Sequence, residues 1–371
     1  MKSWLLATVS CLLVMAVTLL ALEGAYSLDK YGKPHLSVTY QALSRLGFTR
    51  GAKGEEEGSY APFFADAGKL SSLIPLMRDS GIGVGNSPFE EVLTDEAAIN
   101  TTLNGCPTMK PGLRKTAFYL RSTAFNPFDP ITIFYNADKQ LDPRLASFFD
   151  RYGSRRVTMS TNAEGERVTE PRVDRPRKVL VAGDSVAFGA MIDDKETLSS
   201  ELQRRDNRRQ YVNLGVAGID AEAILCRLEA AARRYHGAID EVIYVYCEND
   251  FQPSRPFGRP DAVVNWLKAF AAREKITKVT IVFSPYIYTI APELSRFDGY
   301  FGATYPYRAA ERLDLRNAVQ SAGFGWIDIG LLAREEEARH KNPFAMFSLF
   351  VDHNHLSPDG VMRLADKLTA K

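Results

Sequence analysis

The sequence predicts an α/β fold for residues 177–371, with a parallel five-stranded sheet covered by helices on both faces. Two observations lead to this prediction. Short apolar runs rich in β-branched residues alternate with longer amphipathic segments throughout this part of the chain. The runs are too short for helices, and most are followed by Gly, Asn, Asp or Ser residues, which are typical of turns. Roughly 195 residues are enough for one such domain with its own hydrophobic core.

The predicted strands and helices alternate along the chain. The strands cover Lys178–Ala182, Tyr211–Leu214, Glu241–Tyr246, Lys278–Phe283 and Gly325–Ile329. The helices cover Glu196–Arg208, Ala221–Tyr235, Asp261–Glu274, Tyr307–Ala322 and Pro358–Thr369. In parallel sheets of this kind the carboxyl ends of the strands share one edge, where ligands bind. The residues that follow the strands are therefore the candidates for a functional site.

Polar residues suited to ester chemistry follow four of these strands. They are Gly183-Asp184-Ser185 after the first strand, Gly218 after the second, Asn249-Asp250 after the third, and Asp352 with His355 after a longer excursion from the fifth. This order of motifs resembles the SGNH (GDSL-type) hydrolase superfamily over residues 177–371, a little over half of the chain. The resemblance implies a flavodoxin-like three-layer α/β/α sandwich and a hydrolase without metal or cofactor. One departure is Cys247, at a position where the family often has glycine.

The resemblance implies that Ser185 is the nucleophile, His355 the general base and Asp352 the residue that orients His355. The chemistry agrees, because a serine hydroxyl is a poor nucleophile until a neighbouring base removes its proton. Asp352 precedes His355 by three residues, so a tight turn can bring both side chains to the serine. The G-x-S-x-G pattern of the α/β-hydrolases is absent around Ser185, so that family is not supported.

The same resemblance implies an oxyanion hole formed by the backbone N–H groups of Ser185 and Gly218 and by the side-chain amide of Asn249. Such donors stabilise the negative charge that develops on a carbonyl oxygen during acyl transfer. Asp184 is expected to bond to backbone amides in the turn, and Asp250 to support Asn249.

Each residue also has an alternative interpretation. Ser185 could be only a helix N-cap, and Asn249 only a turn residue. His353 and His355 form an H-x-H pair that could bind a metal ion together with Asp352, but further ligands are not evident in the sequence. The agreement of four motifs in order favours the catalytic interpretation.

Residues 1–28 form a hydrophobic leader, because Trp4–Leu22 carries no charged residue. A helix of this length roughly spans a bilayer, which favours an uncleaved anchor over a cleaved signal peptide. Either alternative places the remainder outside the cytoplasmic membrane, as a membrane-anchored or secreted protein. Of the cysteines beyond the leader, Cys226 and Cys247 could pair, and an odd set of three predicts at least one buried free thiol.

Residues 29–176 are predicted to form a separate, irregular α+β region of unknown role. Short helices are expected at Leu70–Met77 and Pro143–Tyr152, and strands at Thr116–Leu120 and Ile131–Tyr135. The mixed charge run Arg151–Lys178 is interpreted as a solvated connecting segment, with a patch for an anionic glycan as the alternative. A further aromatic segment, Pro285–Tyr307, could stack on sugar rings or simply pack onto the domain.

The leading functional hypothesis is an exported SGNH-type esterase that removes a short acyl group, such as acetyl, from a cell-envelope carbohydrate. The first alternative is an O-acyltransferase, in which a glycan hydroxyl attacks the acyl-enzyme in place of water. The second is a non-catalytic protein that binds a glycan or a partner. The formal net charge of +1 gives no reason to expect a nucleic-acid partner.

Overall fold

The structure is a computed structural model that describes residues 14–15, 17–22, 73, 75–85, 99–120, 131–290, 309–341 and 345–370. The chain divides into two compact units, and the larger comprises residues 70–122, 127–290 and 308–371. Within the smaller unit the structure describes only a helical stretch, residues 14–15 and 17–22. No helix among all these residues is long and apolar enough to cross a membrane. Most of Trp4–Leu22 lies outside the described residues, so the anchor stays a prediction.

The residues before 177 in the larger unit form a four-stranded antiparallel sheet and a two-stranded hairpin. The strands are β1 (Gly83–Gly85), β2 (Asn100–Leu103), β3 (Cys106–Met109), β4 (Arg114–Leu120), β5 (Ile131–Asn136) and β6 (Gly153–Ser160), and helix α1 (Pro143–Tyr152) lies between the last two. The larger sheet has the order β1-β5-β4-β6, and β2 pairs with β3. The predicted strands at 116–120 and 131–135 and the helix at 143–152 are thus confirmed, and the described residues 73 and 75–77 of the helix predicted at 70–77 are helical.

The interpretation of Arg151–Lys178 as a solvated connecting segment is wrong for much of its length. Residues 153–160 form strand β6, which pairs with β4 over most of its length. Arg167 is buried in spite of its charge, because acceptors from three chain segments surround its guanidinium group. The residues from 171 to 177 are mostly exposed, as expected for a connection. The predicted division between residues 29–176 and 177–371 stays a prediction.

The second half of the larger unit contains the predicted parallel sheet. Its strands are β7 (Lys178–Gly183), β8 (Gln210–Asn213), β9 (Ile239–Cys247), β10 (Lys278–Ser284) and β11 (Gly325–Asp328). Their order is β11-β10-β9-β7-β8, and every neighbouring pair is parallel. This is the flavodoxin-like order, in which the chain starts near the centre and changes direction once. The predicted strand limits differ from those observed by one or two residues.

Helices cover both faces of this sheet. They are α2 (Ser185–Phe188), α3 (Leu198–Arg205), α4 (Ala221–Arg234), α5 (Pro260–Glu274), α6 (Ile287–Ile290), α7 (Ala309–Ser321), α8 (Ile329–His340) and α9 (Pro358–Thr369). Side chains of α4, α5 and α7 share one buried cluster with alternate residues of the strands, including Leu180, Tyr244 and Phe283. The intervening residues, such as Val181 and Val245, face the opposite side, where α3, α8 and α9 contact one another and the sheet.

Two details of the predicted helices are corrected by the structure. The helix predicted from Glu196 begins at Leu198, because Thr197 caps it by accepting from the N–H of Ser200. Helix α8 was not predicted at all and occupies part of the expected excursion after the fifth strand. The side chain of Asp328 accepts a hydrogen bond from the N–H of Gly330 and starts this helix directly at the strand end.

A disulfide bond joins Cys106 in β3 to Cys226 in α4. The suggested pairing of Cys226 with Cys247 is therefore wrong. Cys247 is the expected buried free thiol. The bond connects residues 120 positions apart and attaches the β2–β3 hairpin to a helix of the parallel-sheet region.

Candidate active site

Ser185 is the first residue of α2 and directly follows the carboxyl end of β7. Every residue of β7 is buried, so the position of the turn is fixed by the centre of the sheet. Asp184 is the N-cap of α2, and its Oδ1 accepts a hydrogen bond of 2.9 Å from the N–H of Val186. The alternative of Ser185 as the N-cap is therefore wrong. The hydroxyl of Ser185 remains free for another partner.

That partner is His355. Its Nε2 atom lies 2.8 Å from Oγ of Ser185, and its Nδ1 atom lies 2.5 Å from Oδ2 of Asp352. The second carboxylate oxygen of Asp352 accepts the backbone N–H groups of Asn354 and His355, at 2.9 and 2.7 Å. The three side chains thus form a hydrogen-bonded chain of hydroxyl, imidazole and carboxylate. This geometry suits a nucleophile, a base and a residue that orients the base.

The charge of Asp352 fixes the direction of these hydrogen bonds. Its side chain is wholly buried, which by itself would raise its pKa, but His355, His353 and the hydrogen bonds outweigh burial and lower the pKa. Asp352 is therefore ionised at neutral pH and accepts the proton on Nδ1 of His355. In the neutral imidazole, Nε2 is then the acceptor that faces the Ser185 hydroxyl.

The turn that carries Asp352 and His355 is held by its own backbone and by α6. Val351 donates to the carbonyl of His355 at 2.9 Å, and Ile287 donates to the carbonyl of His353 at 2.7 Å. The ring of Tyr286 stacks on that of His353 with 5.1 Å between centroids. His353 thus packs against Tyr286 and helps to hold the turn in place. No group of three or more metal-binding side chains is present in the described part of the chain.

Two of the predicted oxyanion donors are unpaired backbone groups. The N–H groups of Ser185 and Gly218 form no hydrogen bond within the residues that the structure describes. Gly218 is exposed and has a φ of 76°, a left-handed conformation that suits glycine. The loop between β8 and Gly218 passes against α2, since any side chain at Gly215 would collide with the backbone of Phe188.

The third predicted donor, Asn249, is bound to the residue before the nucleophile. Its Nδ2 atom donates to Oδ2 of Asp184 at 3.1 Å, which leaves one amide proton for another acceptor. Burial raises the pKa of Asp184, while its bonds to Val186 and Asn249 and the nearby His355 oppose the rise. Asp250 accepts the N–H of Cys247 at 3.1 Å and so closes the turn in which Asn249 lies.

Cys247 is buried close to the carboxylates of Asp184 and Asp250. Its Sγ atom accepts a hydrogen bond from Nδ2 of Asn354 at 3.6 Å. Burial raises the pKa of the Cys247 thiol well above its usual value, and the charges of Asp184 and Asp250 raise it further. The thiol therefore stays neutral at physiological pH and is unsuited to act as a second nucleophile.

Several residues of the site were not predicted from the sequence. Asn213 donates to the carbonyl of Ala187 at 3.1 Å and accepts the N–H of Gly215, so it joins the loop after β8 to α2. Glu248 accepts from the N–H of Tyr286 and from the hydroxyl of Thr289, at 2.8 and 2.6 Å. Asn213 and Glu248 both lie at strand ends, and this position is the feature of the sequence that could have identified them as site residues. Of the aromatic segment 285–307, residues 291–307 lie outside the described residues.

Comparisons with known proteins find similar solved structures only. No protein-family model matches the chain, and no curated protein matches it. A member of the lipolytic protein G-D-S-L family from Veillonella parvula is 16% identical, with a TM-score of 0.38, over 52% of this chain and 97% of that one. A catalytic mutant of Axe2, an acetylxylan esterase from Geobacillus stearothermophilus, is 18% identical, with a TM-score of 0.35, over 53% and 94%. Both matches cover about half of this chain and nearly all of the other one.

Proposed function

We propose that the protein is a serine esterase that forms an acyl-enzyme on Ser185. The observation that carries this proposal is the hydrogen-bonded chain from Ser185 through His355 to Asp352. A protein that only binds a glycan does not need a buried, ionised carboxylate aligned behind a histidine and a serine. The catalytic interpretation accounts for all three side chains together.

The reaction proceeds in two acyl transfers. Oγ of Ser185 attacks the ester carbonyl while Nε2 of His355 takes the hydroxyl proton, and the resulting imidazolium is stabilised by Asp352. The oxyanion accepts hydrogen bonds from the N–H groups of Ser185 and Gly218 and from the Asn249 amide. The tetrahedral intermediate then breaks its bond to the alcohol oxygen, which takes the proton from His355. Water repeats the sequence and releases the carboxylic acid.

The proposed substrate is a short acyl ester, such as acetyl, on a cell-envelope carbohydrate. Two features support an extracytoplasmic location, either membrane-anchored or secreted. Trp4–Leu22 is an uncharged apolar segment at the N-terminus. The Cys106–Cys226 disulfide is typical of proteins that fold in an oxidising compartment. The carbohydrate itself is inferred from the variety of acyl esters that SGNH-type enzymes hydrolyse.

O-acyl transfer to a glycan is the second candidate, and one feature of the antiparallel sheet β1-β5-β4-β6 favours it. A polar cleft of about 540 Å³ is lined by residues of β4 to β6 and α1, among them Tyr135, Gln140, Asp150 and Arg156. This volume lies within the usual range for small-molecule sites, and the lining offers both donors and acceptors to sugar hydroxyls. Such a cleft could hold an acceptor glycan that attacks the acyl-enzyme in place of water.

The test uses the full-length protein in detergent, a series of acyl-nitrophenyl esters and a serine-reactive phosphonate. We expect rapid cleavage of short-chain esters and a phosphonate adduct on Ser185, located by mass spectrometry. Ser185→Ala should abolish both. Ser199→Ala is the matched control, since Oγ of Ser199 is buried in α3 and has no hydrogen-bond partner among the described residues, so its loss should leave turnover unchanged.

The three hypotheses give different results in this assay. Fast hydrolysis with an adduct on Ser185 supports the esterase. Slow hydrolysis that accelerates when an oligosaccharide acceptor is added, with formation of an acylated sugar, supports the transferase. A folded sample with neither adduct nor turnover would reject both and leave the binding protein.

A further inference from the structure

Arg167 is a fully buried charged residue that contacts the helix of the candidate nucleophile. Its side chain is 0% exposed, and its Nε donates to Oδ1 of Asp194 at 2.5 Å. Its two terminal nitrogens donate to four backbone carbonyls, those of Phe188 at 3.5 Å, Gly189 at 3.2 Å, Ile192 at 2.8 Å and Thr158 at 3.1 Å. A buried guanidinium with this many acceptors is fixed in one orientation.

Two of those carbonyls and the carboxylate belong to the chain that leaves α2. Gly189 ends this helix with a φ of 77°, and its N–H donates to the carbonyl of Ser185 at 3.1 Å. The guanidinium also lies 4.5 Å from the centre of the Phe188 ring, in the last position of the helix. Arg167 therefore contacts the helix of the nucleophile at the end opposite to Ser185.

Strand β6 reinforces the same contact. Its Thr158 N–H donates to Oδ1 of Asp193 at 2.8 Å, and its Ser160 N–H donates to Oδ1 of Asp194 at 3.0 Å. One oxygen of Asp194 thus receives both the β6 backbone and the guanidinium of Arg167. The residues after α2 are tied to a strand that precedes the parallel sheet in the chain.

The backbone of Arg167 is anchored as well. It forms an isolated antiparallel bridge with Asn213, at the end of the edge strand β8. The side chain of Asn213 in turn donates to the carbonyl of Ala187 in α2. The helix of the nucleophile is thus held at its end by the Arg167 side chain and along its length by a residue that pairs with the Arg167 backbone.

We propose that Arg167 is a positioning residue of the active site, which holds the α2 turn so that Oγ of Ser185 stays in line with His355. A helix of four residues is not stable by itself, so its position depends on the contacts around it. Small displacements of a nucleophile reduce the rate strongly, with about a hundredfold loss for 1 Å. This inference rests on the proposed acyl-enzyme chemistry and assigns a function to the segment before residue 177.

The test compares Arg167→Met and Arg167→Lys with a control arginine at the amino-terminal ends of the strands. Arg209 binds two carboxylates, Asp206 at 2.7 Å and Glu241 at 2.8 Å, but it precedes β8 and lies away from the carboxyl strand ends that carry the site. Arg209→Met therefore removes the charged contacts of an arginine without touching α2. All variants are full-length and are assayed well below their own unfolding temperatures.

For Arg167→Met we expect the phosphonate labelling rate of Ser185 and kcat to fall by roughly 30- to 100-fold. KM should change by less than about threefold, because substrate-binding groups are untouched. The pH dependence should keep its midpoint, since the contacts between His355 and Asp352 remain. Arg209→Met should lower the unfolding temperature and leave the labelling rate within about twofold of wild type.

A purely structural role of Arg167 predicts an unchanged labelling rate of Ser185 in the folded variants. Folded Arg167 variants that label Ser185 at the wild-type rate would overturn the proposal, as would an equal loss of labelling in Arg209→Met. If Arg167→Met does not fold, Arg167→Lys is judged by the same criteria, because it keeps the charge in the buried site. Wild-type protein that is not labelled at Ser185 would overturn the proposed function and this inference together.

Discussion

Asn249 and Asp184 form a hydrogen bond of 3.1 Å from the amide Nδ2 to the carboxylate Oδ2. The same carboxylate caps the helix of the nucleophile through its other oxygen. One side chain therefore fixes both the Ser185 turn and the orientation of the amide proposed to bind the oxyanion. The amide has a second proton, and that proton is the one available for the substrate.

Asn249→Ala should lower kcat by about 10²–10³ with little change in KM, because an oxyanion donor acts mainly in the transition state. Steady-state kinetics with an acyl-nitrophenyl ester measure this. Asn207→Ala, at an exposed position away from the strand ends, is the control and should behave like wild type. An unchanged kcat in Asn249→Ala would remove Asn249 from the oxyanion hole.

Asp184→Asn should lower kcat nearly as much as Asn249→Ala does. The new amide can still accept the Val186 N–H, but it can no longer accept the Asn249 N–H at the same time. Because the two residues act as one unit, the double variant should lose little more than either single variant. A double-mutant cycle on kcat measures this coupling, and fully additive losses would show that the two side chains act independently.

The contribution of Asp352 to the free energy of unfolding should decrease as the pH falls. Its pKa is lowered in the folded protein, so its stabilising effect is fully present above its unfolded value of about 3.9 and is lost as the pH falls through the lower folded value. Wild type should therefore exceed Asp352→Asn in stability at pH 6, and the gap should shrink below about pH 4. Urea unfolding across this range tests it; a gap that widens in acid would contradict the assignment.

Loss of the disulfide should destabilise the larger unit. Cys106→Ser with Cys226→Ser should lower the free energy of unfolding by about 2–4 kcal/mol. Addition of a reductant to wild type should have a similar effect, and it should have none on the double variant. Mass spectrometry after alkylation provides the direct check, because Cys106 and Cys226 should be modified only after reduction. Alkylation of both in the unreduced, unfolded protein would show that the bond is absent.

The parallel sheet could be predicted because its signals are local. The three inner strands are short apolar runs such as residues 178–183, which are buried on both faces and need no polar alternation. Asp352 and His355 are three residues apart, so their pairing also follows from nearby sequence. Helix α8 was missed because Asp328 was predicted as a strand residue and Gly330 as the start of a long excursion, whereas the Asp328 side chain caps the helix that Gly330 helps to begin.

Contacts between distant segments could not be predicted in this way. The Asn249–Asp184 bond joins residues 65 positions apart, and the Arg167–Asp194 pair joins residues 27 positions apart. In the sequence, Arg167 is one charge among many, and nothing local distinguishes it from exposed neighbours such as Arg172. The disulfide was equally hidden, because spacing alone does not determine which cysteines pair.

The buried Cys247 thiol gives the site a built-in reporter of local opening. It lies at the end of β9, one residue before the turn of Asn249, and a thiol reagent can reach it only when that part of the structure opens. In a Cys11→Ser background, with the disulfide intact, its modification rate would measure the free energy of that opening in the native protein. A substrate analogue that tightens the active site should slow the modification, and the degree of slowing would report binding without any need for turnover.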